Sequence, residues 1–144
     1  MIVADASCLV AALHGQEPSV RAVTTGQPVA APHLVDAEVL SALRGLTIAG
    51  KLSAADAAPM ITAWEALSLR RFPLTGLVRR MWELRHNLTS YDAAYVALAE
   101  GLGCALLTLD ARLAGAPGIR VPVHVVPADP APPCHPHLGS PGKK

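Results

Sequence analysis

Thr89-Ser90-Tyr91-Asp92-Ala93-Ala94-Tyr95-Val96-Ala97-Leu98-Ala99-Glu100-Gly101-Leu102 runs through Gly103-Cys104 into Ala105-Leu106-Leu107-Thr108-Leu109-Asp110. The first part predicts a helix over Thr89–Leu102, because Thr89 with an acid three residues later has the form of a capping box ahead of an apolar run. The second part predicts a short buried strand over Ala105–Leu109 that ends on Asp110. A helix delivering the chain into an apolar strand is half of a βαβ unit, and such units build parallel sheets.

The same pattern extends toward both ends of the chain. Ile2–Ala4 is a second apolar run that ends on an acid, Asp5. Ser7–Leu13 reads as a helix stopped by Gly15, and Glu17–Thr25 as a further helical piece closed by Gly26. Pro28–Ala31 reads as a strand. Pro32 is expected to open a helix carrying Leu34, Val35, Val39, Leu43 and Leu46 at helical spacing up to Gly50. Ser53 and Asp56 mark another capped helix running to about Leu69, with Pro59 a kink or an early position in it. Arg70–Leu74 reads as a strand, Gly76–Arg85 as a helix and Val121–Val126 as the last strand. The expected fold class is α/β, with a mainly parallel central sheet between layers of helices. In such a sheet ligands bind outside the carboxyl ends of the strands, which puts Asp5 and Asp110 on one edge.

The 144 residues suffice for about one domain, and half of them are apolar. Two Trp, two Tyr and one Phe leave the core to Ala, Leu and Val. The formal net charge of +1 carries no signature of a strongly basic nucleic-acid binder. Cys8, Cys104 and Cys134 form no C-x-x-C pair, so a reducing cytoplasm is expected rather than a disulfide framework. The start lacks a basic segment, and no apolar run reaches membrane-spanning length, so neither a signal peptide nor a membrane span is expected. From Pro127 onward the composition shifts, with Pro127, Pro130, Pro132, Pro133, Pro136 and Pro141 ahead of Lys143-Lys144. The expected organisation is a folded domain over residues 1–126 and a disordered tail over 127–144. Cys134-His135-Pro136-His137, inside that tail, is set aside as a metal site.

Each acid of interest has an ordinary structural alternative. Asp5 and Asp110 suit N-caps, Asp92 suits the third position of a capping box, and Glu38 suits the first turns of its helix. Taken together they point further. Two carboxylates at strand ends and two near helix starts converge on one edge of an α/β sheet, where they repel one another unless a divalent cation joins them. An oxygen-only donor set favours hard Mg²⁺ or Mn²⁺ over Zn²⁺, and the six histidines show no ligand spacing.

On these residues the chain resembles the PIN-domain family, in particular the VapC-type toxin ribonucleases of type II toxin–antitoxin systems. The resemblance spans about Met1 to Val126 and is strongest over Ser90-Tyr91-Asp92-Ala93-Ala94-Tyr95-Val96-Ala97-Leu98-Ala99-Glu100 and Leu107-Thr108-Leu109-Asp110-Ala111-Arg112-Leu113. Val3-Ala4-Asp5-Ala6-Ser7 and Asp36-Ala37-Glu38-Val39 also match. It implies a three-layer α/β/α sandwich and Mg²⁺- or Mn²⁺-dependent hydrolysis of RNA. It implies too a homodimer and inhibition by a cognate VapB-type antitoxin. Asp5, Glu38, Asp92 and Asp110 match the family's acidic quartet, and Ser7 and Thr108 match polar residues that support it. Ser41 departs from the pattern, standing where many relatives carry Asn.

A bound Mg²⁺ lowers the pKa of a water and stabilises charge on the phosphate and the leaving oxygen, as phosphodiester hydrolysis requires. Asp5 and Asp92 are the expected direct ligands, with Glu38 and Asp110 binding directly, through water or at a second ion. Arg79, Arg80, Arg85 and Arg112 are the candidate RNA-phosphate contacts. Trp64 and Trp82 read as core or dimer contacts. Three other readings compete: a PIN-like protein that binds without catalysis, a phospho-accepting signalling domain, and a DNA nuclease on the same fold. The second lacks the paired acid before Asp5 and a Lys at a late strand end, and the intact acid set disfavours the first. The short chain leaves little room for DNA-clamping elements.

Overall fold

Val3 sits at the centre of the sheet. In the computed structural model, which describes residues 1–15 and 25–127, β1 (Ile2–Ala4) pairs in parallel with β2 (Val29–Pro32) on one side and β4 (Leu106–Thr108) on the other. Outside these lie β3 (Leu69–Phe72) and β5 (Val123–Val125), giving the all-parallel order β3-β2-β1-β4-β5. Strands β1 and β4 are buried along their whole length, as a sheet covered on both faces requires.

Six helices are described: α1 (Ala6–His14), α2 (Val35–Ile48), α3 (Ala54–Ala66), α4 (Val78–Glu83), α5 (Ser90–Leu102) and α6 (Ala111–Ala114). Helices α1, α2 and α3 pack together, while α5 lies against β1, β2 and β4 and is backed by α4. The result is a three-layer α/β/α sandwich. Residues Ala93–Ala99 of α5 are all buried, and their many alanines let the helix lie close to the sheet. Gly15 and Gly103 end α1 and α5 in the left-handed conformation, with φ of 69° and 62°.

The sequence reading needs four corrections. Pro32 does not open a helix; it ends β2, opposite Phe72, and α2 begins at Val35. It lies past the residues paired with β1, and His33 N–H, donating to Phe72 O at 2.8 Å, carries the chain out of the sheet. Helix α3 stops at Ala66 because Leu69 already belongs to β3, and Pro59 sits inside α3 without ending it. The expected strand over Arg70–Leu74 is Leu69–Phe72. The expected helix over Gly76–Arg85 shrinks to Val78–Glu83, flanked by turns. The proposed helix over Glu17–Thr25 falls almost wholly outside the described residues, as does the tail from residue 128. No helix among the described residues is long and apolar enough to cross a membrane.

Candidate active site

β1 delivers Asp5 to the carboxyl edge of the sheet, and the residue serves two ends there. As N-cap of α1 its Oδ1 accepts from Cys8 N–H at 3.0 Å and from Ser7 Oγ at 2.6 Å. Its Oδ2 accepts from Thr108 Oγ1, on the neighbouring strand β4. The same Thr108 oxygen accepts from Asp110 N–H at 2.9 Å, and Ser7 Oγ accepts from Leu109 N–H at 3.3 Å. Two hydroxyls thus fasten Asp5 to the backbone that carries Asp110. Asp5 is only 9% exposed, a burial of charge that these donors make tolerable.

Glu38 extends from the first turns of α2. Its Oε2 accepts from Tyr95 Oη, on α5, at 2.5 Å. Burial raises its pKa above the ordinary glutamate value; the Tyr95 hydrogen bond works against this, and the nearby charges of Asp5 and Asp92 add to it. The phenol of Tyr95 is pushed up by burial, by its bond to Glu38 and by the charges of Glu38 and Asp5.

Asp92 is the third residue of α5, where Thr89 caps the helix in the predicted box. Asp92 N–H donates to Thr89 Oγ1 at 3.1 Å, and Thr89 Oγ1 donates to Asp92 Oδ2 at 2.8 Å. Asp110 caps the short α6 through Arg112 N–H at 2.9 Å and is gripped by the Arg112 guanidinium, with contacts of 3.0, 3.0 and 2.6 Å. That grip holds Asp110 below the ordinary carboxylate range. Asp92, Asp110 and Arg112 line one cleft of about 180 Å³. Glu38 and Ser41 line a neighbouring one of about 450 Å³ with the exposed Tyr91.

The four acids therefore occupy one edge. Glu38 feels both Asp5 and Asp92, Asp92 shares a cleft with Asp110, and Thr108 joins Asp5 to Asp110. They are not drawn tightly together: among the described residues no three His, Cys, Asp or Glu side chains lie close enough to enclose a metal ion. The donor set nevertheless suits Mg²⁺ or Mn²⁺. It is all carboxylate oxygen, the charges of Asp5 and Asp92 add to the burial that raises the Glu38 pKa, and Mg²⁺ commonly takes one or two carboxylates directly and keeps several waters.

The four candidate RNA-binding arginines separate. Arg80 is spent inside the fold: it donates to Glu100 Oε2 at 2.6 Å, to Glu83 at 3.0 Å and to Gly118 O at 2.6 Å. Arg85 stacks on Trp82, itself 67% exposed, and Arg79 is exposed on α4. Arg112 alone of the four stands among the acids. Trp64 is a core residue, and its indole N–H donates to Asp36 at 2.9 Å. Tyr95 and Thr89 were not among the residues singled out as site candidates. Tyr95 follows Asp92 by three positions, a spacing that places both on one side of a helix.

Residues 2–119 match the PIN domain family. Ribonuclease VapC9 of Mycobacterium tuberculosis is 45% identical over 127 residues, 88% of this chain and 99% of that protein. Ribonuclease VapC1 of the same organism is 41% identical over 128 residues, 86% of this chain and 96% of that one. Among solved structures, PAE2754 from Pyrobaculum aerophilum matches with a TM-score of 0.64 at 25% identity, over 85% of this chain and 81% of its own. A toxin–antitoxin complex from Klebsiella pneumoniae matches with a TM-score of 0.61 at 19% identity, over 88% and 100%, a likeness of fold.

Proposed function

The chain belongs to the PIN-domain family, and from that membership we propose that it is a toxin-type endoribonuclease whose site is Asp5, Glu38, Asp92 and Asp110, supported by Ser7 and Thr108. The observation that carries this reading is the 45% identity to a VapC ribonuclease along nearly that protein's whole length. The convergence of the four acids on one sheet edge supports the assignment of the site. The catalytic domain is residues 1–126.

In the proposed reaction the carboxylates hold Mg²⁺ or Mn²⁺, which when bound supplies an activated water and stabilises charge on the phosphate. Asp5, immobilised by three hydrogen bonds, and Asp92, lining the cleft with Asp110, would be the direct ligands. Glu38 and Asp110 complete the site directly or through water. Arg112 exchanges its contact with Asp110 for an RNA phosphate as the substrate arrives, a role suited to a guanidinium whose side chain is 89% exposed. Arg79, on α4, and Arg85, just past its end, extend the cationic surface, and Arg80 braces it.

The proposed partners are an RNA substrate, a second copy of the chain and a VapB-type antitoxin; the proposed location is the cytoplasm. Exposed apolar side chains such as Ile48, Val78 and Trp82 supply surface for such contacts. The antitoxin would insert a cationic side chain among the acids and displace the metal. The test is cleavage of RNA by the purified chain in Mn²⁺, in EDTA and after Asp92→Asn. Metal-dependent cleavage lost in the variant is expected; cleavage that persists in EDTA would sink the proposal. A chain that folds with all four acids intact, cuts no RNA and is harmless when expressed alone would favour the binding-only reading.

A further inference from the structure

Besides the hydroxyl residues already described, Arg112, Tyr91 and Tyr95 stand around the acids. The first makes a local, exposed ion pair and the second faces open solvent. Tyr95 differs, because it is 3% exposed and its hydroxyl reaches a carboxylate on another helix. Its hydroxyl meets Glu38 Oε2 across 57 residues of chain, joining α5 to α2. A phenol oxygen that sits beside a carboxylate donates to it.

Glu38 has three side-chain torsions, and the charges of Asp5 and Asp92 repel its carboxylate. Left alone it would swing away from them toward the open groove that it lines with Ser41. The buried ring of Tyr95 removes that freedom. With Oε2 held, Oε1 is the oxygen of this carboxylate that receives no hydrogen bond from the described residues. Tyr95 rises from the same helix face as Asp92, so one rigid element sets both. A site held in place before its ligand arrives loses less freedom on binding.

We propose that Tyr95 is a positioning residue of the RNA-cleaving site: its hydroxyl keeps the Glu38 carboxylate within the Asp5–Asp92 group, with one oxygen committed and the other left for a divalent cation or its water. The inference rests on the nuclease reading above.

The experiment uses the full chain without RNA. Thermal unfolding is followed across a Mn²⁺ titration for wild type, Tyr95→Phe, Glu38→Gln and the double variant, each read against its own metal-free melting temperature. Tyr95→Phe keeps the ring, so it is expected to fold, and to need about 10-fold more Mn²⁺ for half of its stabilisation, as when an outer partner of a metal ligand is lost. Added to Glu38→Gln, it should move the midpoint no further. In cleavage assays it should lower kcat with little change in KM for RNA and recover in part at higher Mn²⁺. Equal midpoints for wild type and Tyr95→Phe, or additive effects in the double variant, would overturn the positioning role. A wild type that neither responds to Mn²⁺ nor cuts RNA overturns the nuclease reading beneath it.

Discussion

Asp92 shows how one residue serves both folding and chemistry. Its backbone N–H and carboxylate complete a box with Thr89, and its charge lies among other acids. Asn at this position keeps the shape and the backbone donor while removing the charge. Its loss of favourable charge at a helix N-terminus costs about 0.3–1 kcal/mol, and relief of repulsion at Glu38 offsets part of that. Asp92→Asn should therefore unfold within about 1 kcal/mol of wild type in urea, yet lose cleavage by about two orders of magnitude or more. Normal cleavage per folded molecule with a large loss of stability would make capping its whole role. Glu38→Gln tests repulsion from another side: without metal it should melt at or above the wild-type temperature, and added Mn²⁺ should stabilise it less than wild type. The places of the acids in the fold are legible in the sequence because each follows a strand or lies near a helix start, features that apolar runs and capping residues announce. That of Tyr95 is not, because in sequence this residue is one more buried position of an apolar helix. Only the fold brings Glu38 to it.

The pair of helices α4 and α5 is tied by charge as well as by apolar packing. Arg80 on α4 reaches Glu100 on α5 and the carbonyl of Gly118, while Glu100 also accepts from Arg120 N–H at 2.9 Å. The two side chains are 19% and 11% exposed, so neither is readily rescued by water. Arg80→Met should cost about 2–3 kcal/mol in urea unfolding, because Glu100 is left without its main partner. Burial raises the Glu100 pKa, but the Arg80 bond and the Arg120 amide outweigh it and the net shift is downward. The stabilisation is thus complete above the ordinary glutamate value and disappears as pH falls through the lowered one. Glu100→Gln should be weaker than wild type at pH 7, and the gap should narrow as pH falls below the ordinary glutamate value; a gap that stays constant through acid pH would mean that the charge of Glu100 contributes nothing. In sequence Arg79-Arg80 looks like a phosphate-binding pair, since a partner twenty positions away on another helix leaves no local sign. Arg71 likewise finds a distant partner, gripping Asp36 at 2.9 Å, while Trp64 donates to the same acid. Helix and strand identities were read well because hydrophobic period and caps are local. Pro32 ends a strand instead of opening a helix: proline suits both places, and only the pairing of β2 with β3 decides between them.

For the whole molecule, the proposed boundary of the folded unit is set at the last described ties to the sheet. Val126 is 5% exposed, and its N–H donates to Thr108 O at 2.9 Å, which fastens the chain beside the very threonine that holds Asp5. Pro127, the next residue, is exposed. From Pro127 onward the sequence carries six prolines and a closing lysine pair, without an apolar period. VapC9 of Mycobacterium tuberculosis is matched over 99% of its length by 88% of this chain, so a protein of this kind exists without an added segment of that size. Deletion of residues 128–144 should accordingly leave the melting temperature unchanged within about 2 °C, less than the shift that 1 kcal/mol produces in a domain of this size. Mn²⁺ stabilisation and the rate of RNA cleavage should match the full chain. Deletion that instead reaches Val126 should differ sharply, because it removes a buried side chain and the bond to Thr108 O together and loosens β4 where Asp5 and Asp110 are fastened. Both truncations can be compared in one melting series with and without Mn²⁺. If the shorter deletion already lowers the melting temperature by several degrees, or alters the Mn²⁺ response, residues 128–144 pack on the domain and its boundary lies further along the chain.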